Sequence, residues 1–185
     1  AADPESWRSA SGHVLARHVD RIAQARPDVG VVTFLRHPVA RIVSEYRYCR
    51  TDQHPPHESF IARYPSLEAF VEDPGEANKM SLYLFGRRDI SVEAAMARLR
   101  TRYAFVGLQE RYAVSFRLMS LLMWGGSTPR ARSRVTPDSA DNKVEVTAQL
   151  GARIRELNRL DFAIHEAVSE IYAGIADEAW TLPVG

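Results

Sequence analysis

The chain has 185 residues, of which 45% are hydrophobic and 25% are charged, and its formal net charge is +1. This length and composition are typical of an ordinary globular protein with one domain and a single sizeable core. The near-neutral charge argues against a general nucleic-acid-binding protein. Cys49 is the one cysteine, so no disulfide forms within these residues, which favours a reducing compartment.

Hydrophobic periodicity and turn residues divide the chain into helices and short strands. The predicted elements, in chain order, are a helix at about 12–25, a buried strand at 30–35, helices at 38–50, 65–70 and 91–99, a strand at 103–106, a buried helix at 112–124, and closing helices at about 144–158 and 160–173. Because the strands are few and separated by helices, we expect them to pair in parallel through right-handed crossovers.

The boundary between the first predicted strand and the helix after it is the most informative part of the chain. Apolar and β-branched residues lead up to Arg36, and Pro38 then presets φ for a first helical turn. Backbone N–H groups and the positive end of the helix dipole converge at such a junction, and Arg36 adds a planar fork of donors. Ser44 lies two turns further along the helix, so we expect Arg36 and Ser44 to hold one phosphate together. The alternative is an arginine that simply pairs with a carboxylate.

This junction resembles the 3′-phosphate-binding segment of sulfotransferases that use 3′-phosphoadenosine 5′-phosphosulfate (PAPS). In that family a strand ends in Arg-x-Pro and a serine follows inside the helix. Arg36 and Ser44 match these two positions, and the resemblance implies that they bind the 3′-phosphate. His37 departs from the pattern, since many relatives carry Asp or Lys there.

Three more segments resemble the same family in the same order. Residues 11–14, Ser-Gly-His-Val, resemble the Gly-His-Val of the heparan sulfate 2-O-sulfotransferase branch, which implies that His13 is the catalytic base. An unperturbed histidine accepts a proton near neutral pH, although a histidine before a helix also commonly just caps or packs. Residues 105–111 resemble the strand–Gly–Leu–x–Glu step of the family, and residues 130–143 with 155–161 resemble its basic loop and closing helix.

The basic loop carries the remaining cofactor contacts that the resemblance implies. Thr136, Ser139 and Lys143 would close over the nucleotide. The alternative is that this loop is an ordinary solvated connector.

The resemblance also implies a fold. It is an α/β, P-loop NTPase-like three-layer fold with a small parallel sheet flanked by many helices, in which ligands bind beyond the carboxyl ends of the strands. The family begins with a strand, a Lys-x-Gly-[ST]-[ST] loop and a helix, which hold the 5′-phosphosulfate. Neither Lys79 nor Lys143 lies in such a loop. We therefore expect residues 1–185 to form a single sulfotransferase-like domain in a fragment that lacks its N-terminal strand, loop and helix.

The expected function is transfer of a sulfuryl group from PAPS to a hydroxyl acceptor, a carbohydrate or other small molecule, with no metal. The alternative is a non-catalytic nucleotide- or anion-binding protein that retains the 3′-phosphate half-site. A P-loop kinase fragment is disfavoured, because neither predicted strand ends in an Asp for Mg²⁺. Neither a nucleic-acid partner nor a membrane segment is expected, and the preference for arginine over lysine together with abundant alanine favours the bacterial cytoplasm.

Arginine also clusters outside these motifs, at Arg98, Arg100 and Arg102. We interpret this cluster as a solvated helical face.

Overall fold

The computed structural model describes residues 11–125 and 143–175. Within these residues the chain forms nine helices and two strands. In chain order they are α1 (Ala16–Ala25), β1 (Val32–Leu35), α2 (Pro38–Cys49), α3 (His57–Arg63), α4 (Leu67–Val71), α5 (Lys79–Phe85), α6 (Val92–Arg102), β2 (Phe105–Leu108), α7 (Tyr112–Trp124), α8 (Ala148–Leu157) and α9 (Arg159–Tyr172).

The two strands form a parallel sheet. Val32 is paired with Phe105 and Leu35 with Leu108, so the carboxyl ends of both strands lie at the same edge. Gly107 is required within β2, because a Cβ at this position would lie 2.7 Å from the ring of Phe34. The predicted mixture of helices with a small parallel sheet is thus confirmed for the described residues.

The core consists of two apolar clusters. The first packs the sheet against α5, α6 and α9, and its buried members include Leu35, Leu84, Leu99, Leu108, Ile164 and Val168. The second joins α2 to α4, α8 and α9, and its buried members include Ile42, Tyr46, Leu67, Phe70, Ile154 and Phe162. Since α9 contributes to both clusters, its position decides how the two halves of the core meet.

The start of α9 is fixed by a reciprocal exchange of hydrogen bonds with the start of α5. The backbone N–H of Asn78 donates to Asn158 Oδ1 at 2.9 Å, and the N–H of Leu160 donates to Asn78 Oδ1 at 3.1 Å. Asp161 accepts from the N–H of Met80 and of Ser81, each at 2.9 Å, and from the Ser81 hydroxyl at 2.5 Å. Each helix therefore satisfies N–H groups at the other's first turn that have no partner within their own helix.

Asp161 carries out this capping while fully buried. Burial raises the pKa of its carboxyl above the ordinary value, and the hydrogen bonds from Ser81 and Met80 offset only part of that effect. Asn78 adopts a left-handed backbone conformation, with φ 45°, to turn the chain into α5.

Charged side chains attach α2 to α5 beside this network. Arg41 donates to Glu45 at 2.8 Å and to Glu76 at 3.2 Å, and Lys79 donates to Glu76 at 2.7 Å and also to Glu45. Arg41 also donates to the backbone oxygen of Glu76 at 3.1 Å. All four side chains are largely buried, so solvent screens these ion pairs less than it screens surface pairs.

Several predicted boundaries were wrong: the first strand begins at Val32 rather than at residue 30, and α8 begins at Ala148 rather than near residue 144. The second strand was expected at 103–106 but begins at Phe105, because Tyr103 ends α6 by donating its N–H to Leu99 and its hydroxyl to the oxygen of Leu84. The first helix was expected from residue 12 but begins at Ala16, because Leu15 is extended, with ψ 151°, and provides no side-chain cap.

Asp161→Ala should lower the free energy of unfolding by about 3 kcal/mol, because it leaves two backbone donors and one buried hydroxyl without an acceptor. Urea unfolding monitored by far-UV circular dichroism measures the loss. Asp89→Ala is the control: it breaks an exposed pair with Arg87 and should change the free energy by less than about 0.5 kcal/mol. Equal losses in the two variants would contradict the role assigned to Asp161.

Candidate functional site

The candidate site lies at the edge of the sheet where both strands end, as the sequence predicts. Arg36 follows β1 directly, and Pro38 is the first residue of α2. Arg36 and Ser44 are half-buried, and within residues 11–125 and 143–175 neither side chain makes a hydrogen bond or an ion pair. The carboxylate partner that the alternative interpretation required for Arg36 is therefore not found in this part of the chain.

The first turn of α2 is held by a carboxylate from the turn that follows β2. The backbone N–H of His37 donates to Glu110 Oε1 at 2.7 Å, while the His37 side chain does not cap the helix. The parallel register explains this contact: Leu35 is paired with Leu108, so His37 and Glu110 each lie two residues beyond the paired ends. A negative charge at the start of a helix is favourable, so Glu110 stabilises the junction that carries Arg36.

Two histidines and a phenylalanine surround Glu110 and the start of α2. His165 is buried on α9, and its Nε2 lies 3.3 Å from Glu110 Oε2. The ring of His37 packs edge-on against those of His165 and Phe162, with centroids 5.3 and 5.2 Å away. This arrangement joins α9 to the ends of both strands.

The protonation of this cluster follows from its surroundings. Burial and the neighbouring His165 lower the pKa of His37, and the attraction of Glu110 for the imidazolium opposes them only in part. Burial alone would raise the pKa of Glu110, but the hydrogen bonds from the His37 N–H and from His165 outweigh it and lower this pKa. At neutral pH the cluster therefore holds an ionised carboxylate next to a neutral His37.

His13 lies at a different place in the fold from Arg36. It is exposed in the segment before α1, where its ring meets Tyr83 of α5 edge-on at 6.5 Å. The start of α1 is attached to the end of α6, because Arg102 donates to the backbone oxygen of Ala16 at 3.0 Å. No contact within the described ranges brings His13 together with Arg36 or Ser44, so its role as a base stays a prediction.

Of the three predicted residues of the basic loop, the structure describes only Lys143. Thr136 and Ser139 lie outside the described residues. Lys143 is exposed five residues before α8.

A shallow cavity of about 400 Å³ opens between α8 and α9. Its lining includes Phe162, which also contacts His37. Arg155 lies over the Phe162 ring, 4.1 Å from its centroid, and donates to Glu166 at 2.8 Å. The cavity therefore adjoins the histidine cluster and has paired charges at its rim.

Neither a metal site nor a reactive thiol emerges from this geometry. The described residues contain no group of three or more His, Cys, Asp or Glu side chains placed to hold a metal ion. Cys49 is buried, and burial together with the nearby Glu45 raises its pKa to about 11, so the thiol stays protonated at neutral pH.

Glu110 and His165 were not predicted as parts of the site. The sequence did contain a signal for Glu110: a parallel pairing of the two strands places Glu110 opposite His37 once the register is known. His165 gives no such local signal, because its contact depends on how α9 packs across the sheet.

Comparisons with protein-family models, with curated proteins and with solved structures found no match. Among the helices that the structure describes, none is both long enough and apolar enough to cross a membrane.

Glu110→Gln should remove a pH-dependent part of the stability. Because the folded-state pKa lies below the ordinary value of 4.5, the carboxylate stabilises the fold above that pH, and the stabilisation is lost as the pH falls through the folded-state pKa. The variant keeps an acceptor for the His37 N–H but loses the charge. We expect a loss of about 1 kcal/mol at pH 7, after allowance for solvent exposure, and convergence with the wild type once the pH has fallen below the folded-state pKa.

Urea unfolding of both proteins from pH 7 to pH 3 measures this difference. Glu156→Gln is the control, since Glu156 pairs with Arg153 on an exposed helix surface. A difference between wild type and Glu110→Gln that stays constant over the pH range would contradict the assignment.

Proposed function

We propose that this chain binds the 3′-phosphate of PAPS through Arg36 and Ser44 and transfers the sulfuryl group of PAPS to a hydroxyl acceptor, a carbohydrate or other small molecule. The observation that carries the proposal is the pair of half-buried donors along the β1–α2 junction that have no polar partner in the described residues. A half-buried arginine without a counter-ion has lost part of its hydration, and a phosphate supplies both the charge and the acceptors that Arg36 lacks.

The spacing of the two donors agrees with this proposal. Arg36 directly precedes His37, the N-cap of α2, and Ser44 lies about two helical turns after that cap. Arg36 has a long side chain that starts from the strand end. A phosphate between its guanidinium and the Ser44 hydroxyl would have both as donors.

The proposed fold is the P-loop NTPase-like three-layer arrangement. It is supported by helices on both faces of the sheet: Phe34 packs against Tyr112 of α7 at 5.5 Å, whereas Leu35 lies in the cluster that includes Ile164 of α9. Ligands of such sheets bind beyond the carboxyl ends of the strands, which is where Arg36 lies. We place the protein in the cytoplasm, because its one cysteine is buried and unpaired.

In this proposal the protein's residues supply charge, orientation and a base. Sulfuryl transfer, like phosphoryl transfer, needs in-line geometry and stabilisation of negative charge on the departing nucleotide. Arg36 and Ser44 would fix the nucleotide by its 3′-phosphate, and His13 would take the proton of the acceptor hydroxyl. Lys143, with Thr136 and Ser139, would contact the bound nucleotide.

The alternative is a nucleotide- or anion-binding protein without transfer activity that keeps the same half-site. The observation that favours it is the separation of His13 from Arg36: the described contacts of the His13 segment are with α5 and α6.

Arg36→Ala should weaken the binding of adenosine 3′,5′-bisphosphate at least tenfold while leaving the fold intact, because it removes a charged bidentate donor worth about 1.5–3 kcal/mol. Ser44→Ala should act in the same direction but less strongly, because a neutral hydroxyl is lost. Isothermal titration calorimetry measures both effects, with 5′-AMP as the ligand that lacks the 3′-phosphate. Both variants should lose the preference for the bisphosphate.

Arg21→Ala is the matched control for charge, since Arg21 is exposed on α1 and has no partner among the described residues. It should leave the affinity within about twofold of the wild type. A preference for the bisphosphate that persists in both Arg36→Ala and Ser44→Ala would place the 3′-phosphate elsewhere.

His13→Ala should separate the two functions. If His13 is the base, the variant should bind adenosine 3′,5′-bisphosphate normally and transfer label from ³⁵S-PAPS to hydroxyl acceptors about 10²–10⁴ times more slowly. His18→Ala, an exposed histidine on α1, is the control. Turnover that is normal in His13→Ala would refute the base, and a wild type that binds the bisphosphate but transfers no label would support the alternative function.

A further inference from the structure

A cationic groove lies between α1 and α6, away from the strand ends that carry Arg36. It has a volume of about 240 Å³. Its floor includes Leu84 and Phe85 of α5, and the polar side chains that line it are Asp20, Arg98, Thr101 and Arg102. The groove lies where α6 leads into the amino end of β2, whereas Arg36 follows the carboxyl end of β1.

The two arginines of the groove differ in their contacts. Arg102 pairs with Asp20 and donates to the backbone oxygen of Ala16 at 3.0 Å, yet its buried Nε has no acceptor. Arg98 has neither a hydrogen bond nor an ion pair with any described residue, and it is exposed. The groove thus contains one anchored guanidinium with an unused donor and one guanidinium with all its donors available.

The other polar groups define which ligands fit. The Thr101 hydroxyl donates to the backbone oxygen of Ala97 at 3.0 Å, so its hydrogen is already used. Asp20 is the one carboxylate that lines the groove, and Arg102 neutralises it. The available donors are therefore guanidinium N–H groups, which suit the planar, bidentate recognition of oxyanions.

The two helices that form the groove are basic although the chain is nearly neutral. They carry five arginines against two carboxylates, Asp20 and Glu93, while the whole chain has 24 cationic and 23 anionic residues. Arg17 and Arg21 lie one turn apart on the exposed side of α1, and neither has a partner in the part of the chain that is described. The excess positive charge attracts anions to this surface.

We propose that this groove is a second anion-binding site, which takes the sulfate or phosphate group of a ligand on Arg98 and Arg102. Its volume is below the range of about 300–1,000 Å³ that encloses a whole small ligand, so it accommodates a single oxyanion group with the atoms next to it. An oxyanion here would also supply the acceptor that Arg102 Nε lacks, after a small reorientation of the guanidinium. This site is independent of the nucleotide site proposed at Arg36.

Titration of the ¹⁵N-labelled protein with sodium sulfate, against sodium chloride at equal ionic strength, tests the proposal. Amide shifts of residues 16–20 and 98–102 should saturate with sulfate in the wild type. Arg98→Ala should weaken this binding at least fivefold. Arg100→Ala is the matched control, because Arg100 is exposed two residues along the same helix and does not line the groove, and it should change the affinity less than twofold.

The same titration on Arg36→Ala separates this site from the proposed nucleotide site. The sulfate-dependent shifts in α1 and α6 should persist in that variant. Shifts that do not saturate, or that respond equally to Arg98→Ala and Arg100→Ala, overturn the proposal whether or not Arg36 binds nucleotide.

A second probe distinguishes a free ion from an anionic group carried on a longer molecule. If the natural ligand is extended, low-mass dextran sulfate should bind at least tenfold more tightly per sulfate than inorganic sulfate. The double variant Arg17→Ala with Arg21→Ala should then weaken the binding of dextran sulfate but not that of inorganic sulfate. Equal affinities per sulfate, with no effect of the double variant, identify a free inorganic ion as the ligand. Inorganic phosphate in place of sulfate tests whether the site prefers either oxyanion.

Discussion

The mutual capping of α5 and α9 is the interaction on which the rest of the structure depends. Asn78 and Asn158 each accept from a backbone N–H at the other's helix start, and Asp161 accepts three hydrogen bonds from Met80 and Ser81. These residues are more than 75 positions apart in the sequence, so the network joins two distant parts of the chain. Because α9 contributes to both apolar clusters, its start fixes how they meet.

The candidate site depends on this placement through α9. One turn after Asp161, the helix brings His165 to Glu110, and Glu110 in turn accepts the N–H that begins α2. Arg36 itself contacts none of these groups through a hydrogen bond. The position of Arg36 nevertheless depends on these contacts, because Arg36 follows the last residue of β1 and precedes the first turn of α2.

Local rules predicted the parts of the fold that short segments determine. The β1–α2 junction follows from an apolar run, Arg36 and a proline at the first helical position, and the structure places it as expected. The start of β2 was predicted too early because Tyr103 is an aromatic residue of the kind common in strands. In the structure Tyr103 instead ends α6, and its hydroxyl donates to the backbone oxygen of Leu84 of α5. The contacts of Glu110 and His165 could not be predicted from spacing alone, because they depend on strand register and on the packing of a helix from the far end of the chain.

The anchoring of α2 has a consequence for the energetics of any ligand held at its start. Glu110 accepts a hydrogen bond from the backbone at the start of α2. On the next two turns of α2, Arg41 forms an ion pair with Glu76, and Glu45 forms one with Lys79. The backbone that carries Arg36 and Ser44 is therefore preorganised before a ligand arrives. Binding would have to order side chains but little main chain, so a larger share of each hydrogen bond to the ligand would appear as affinity.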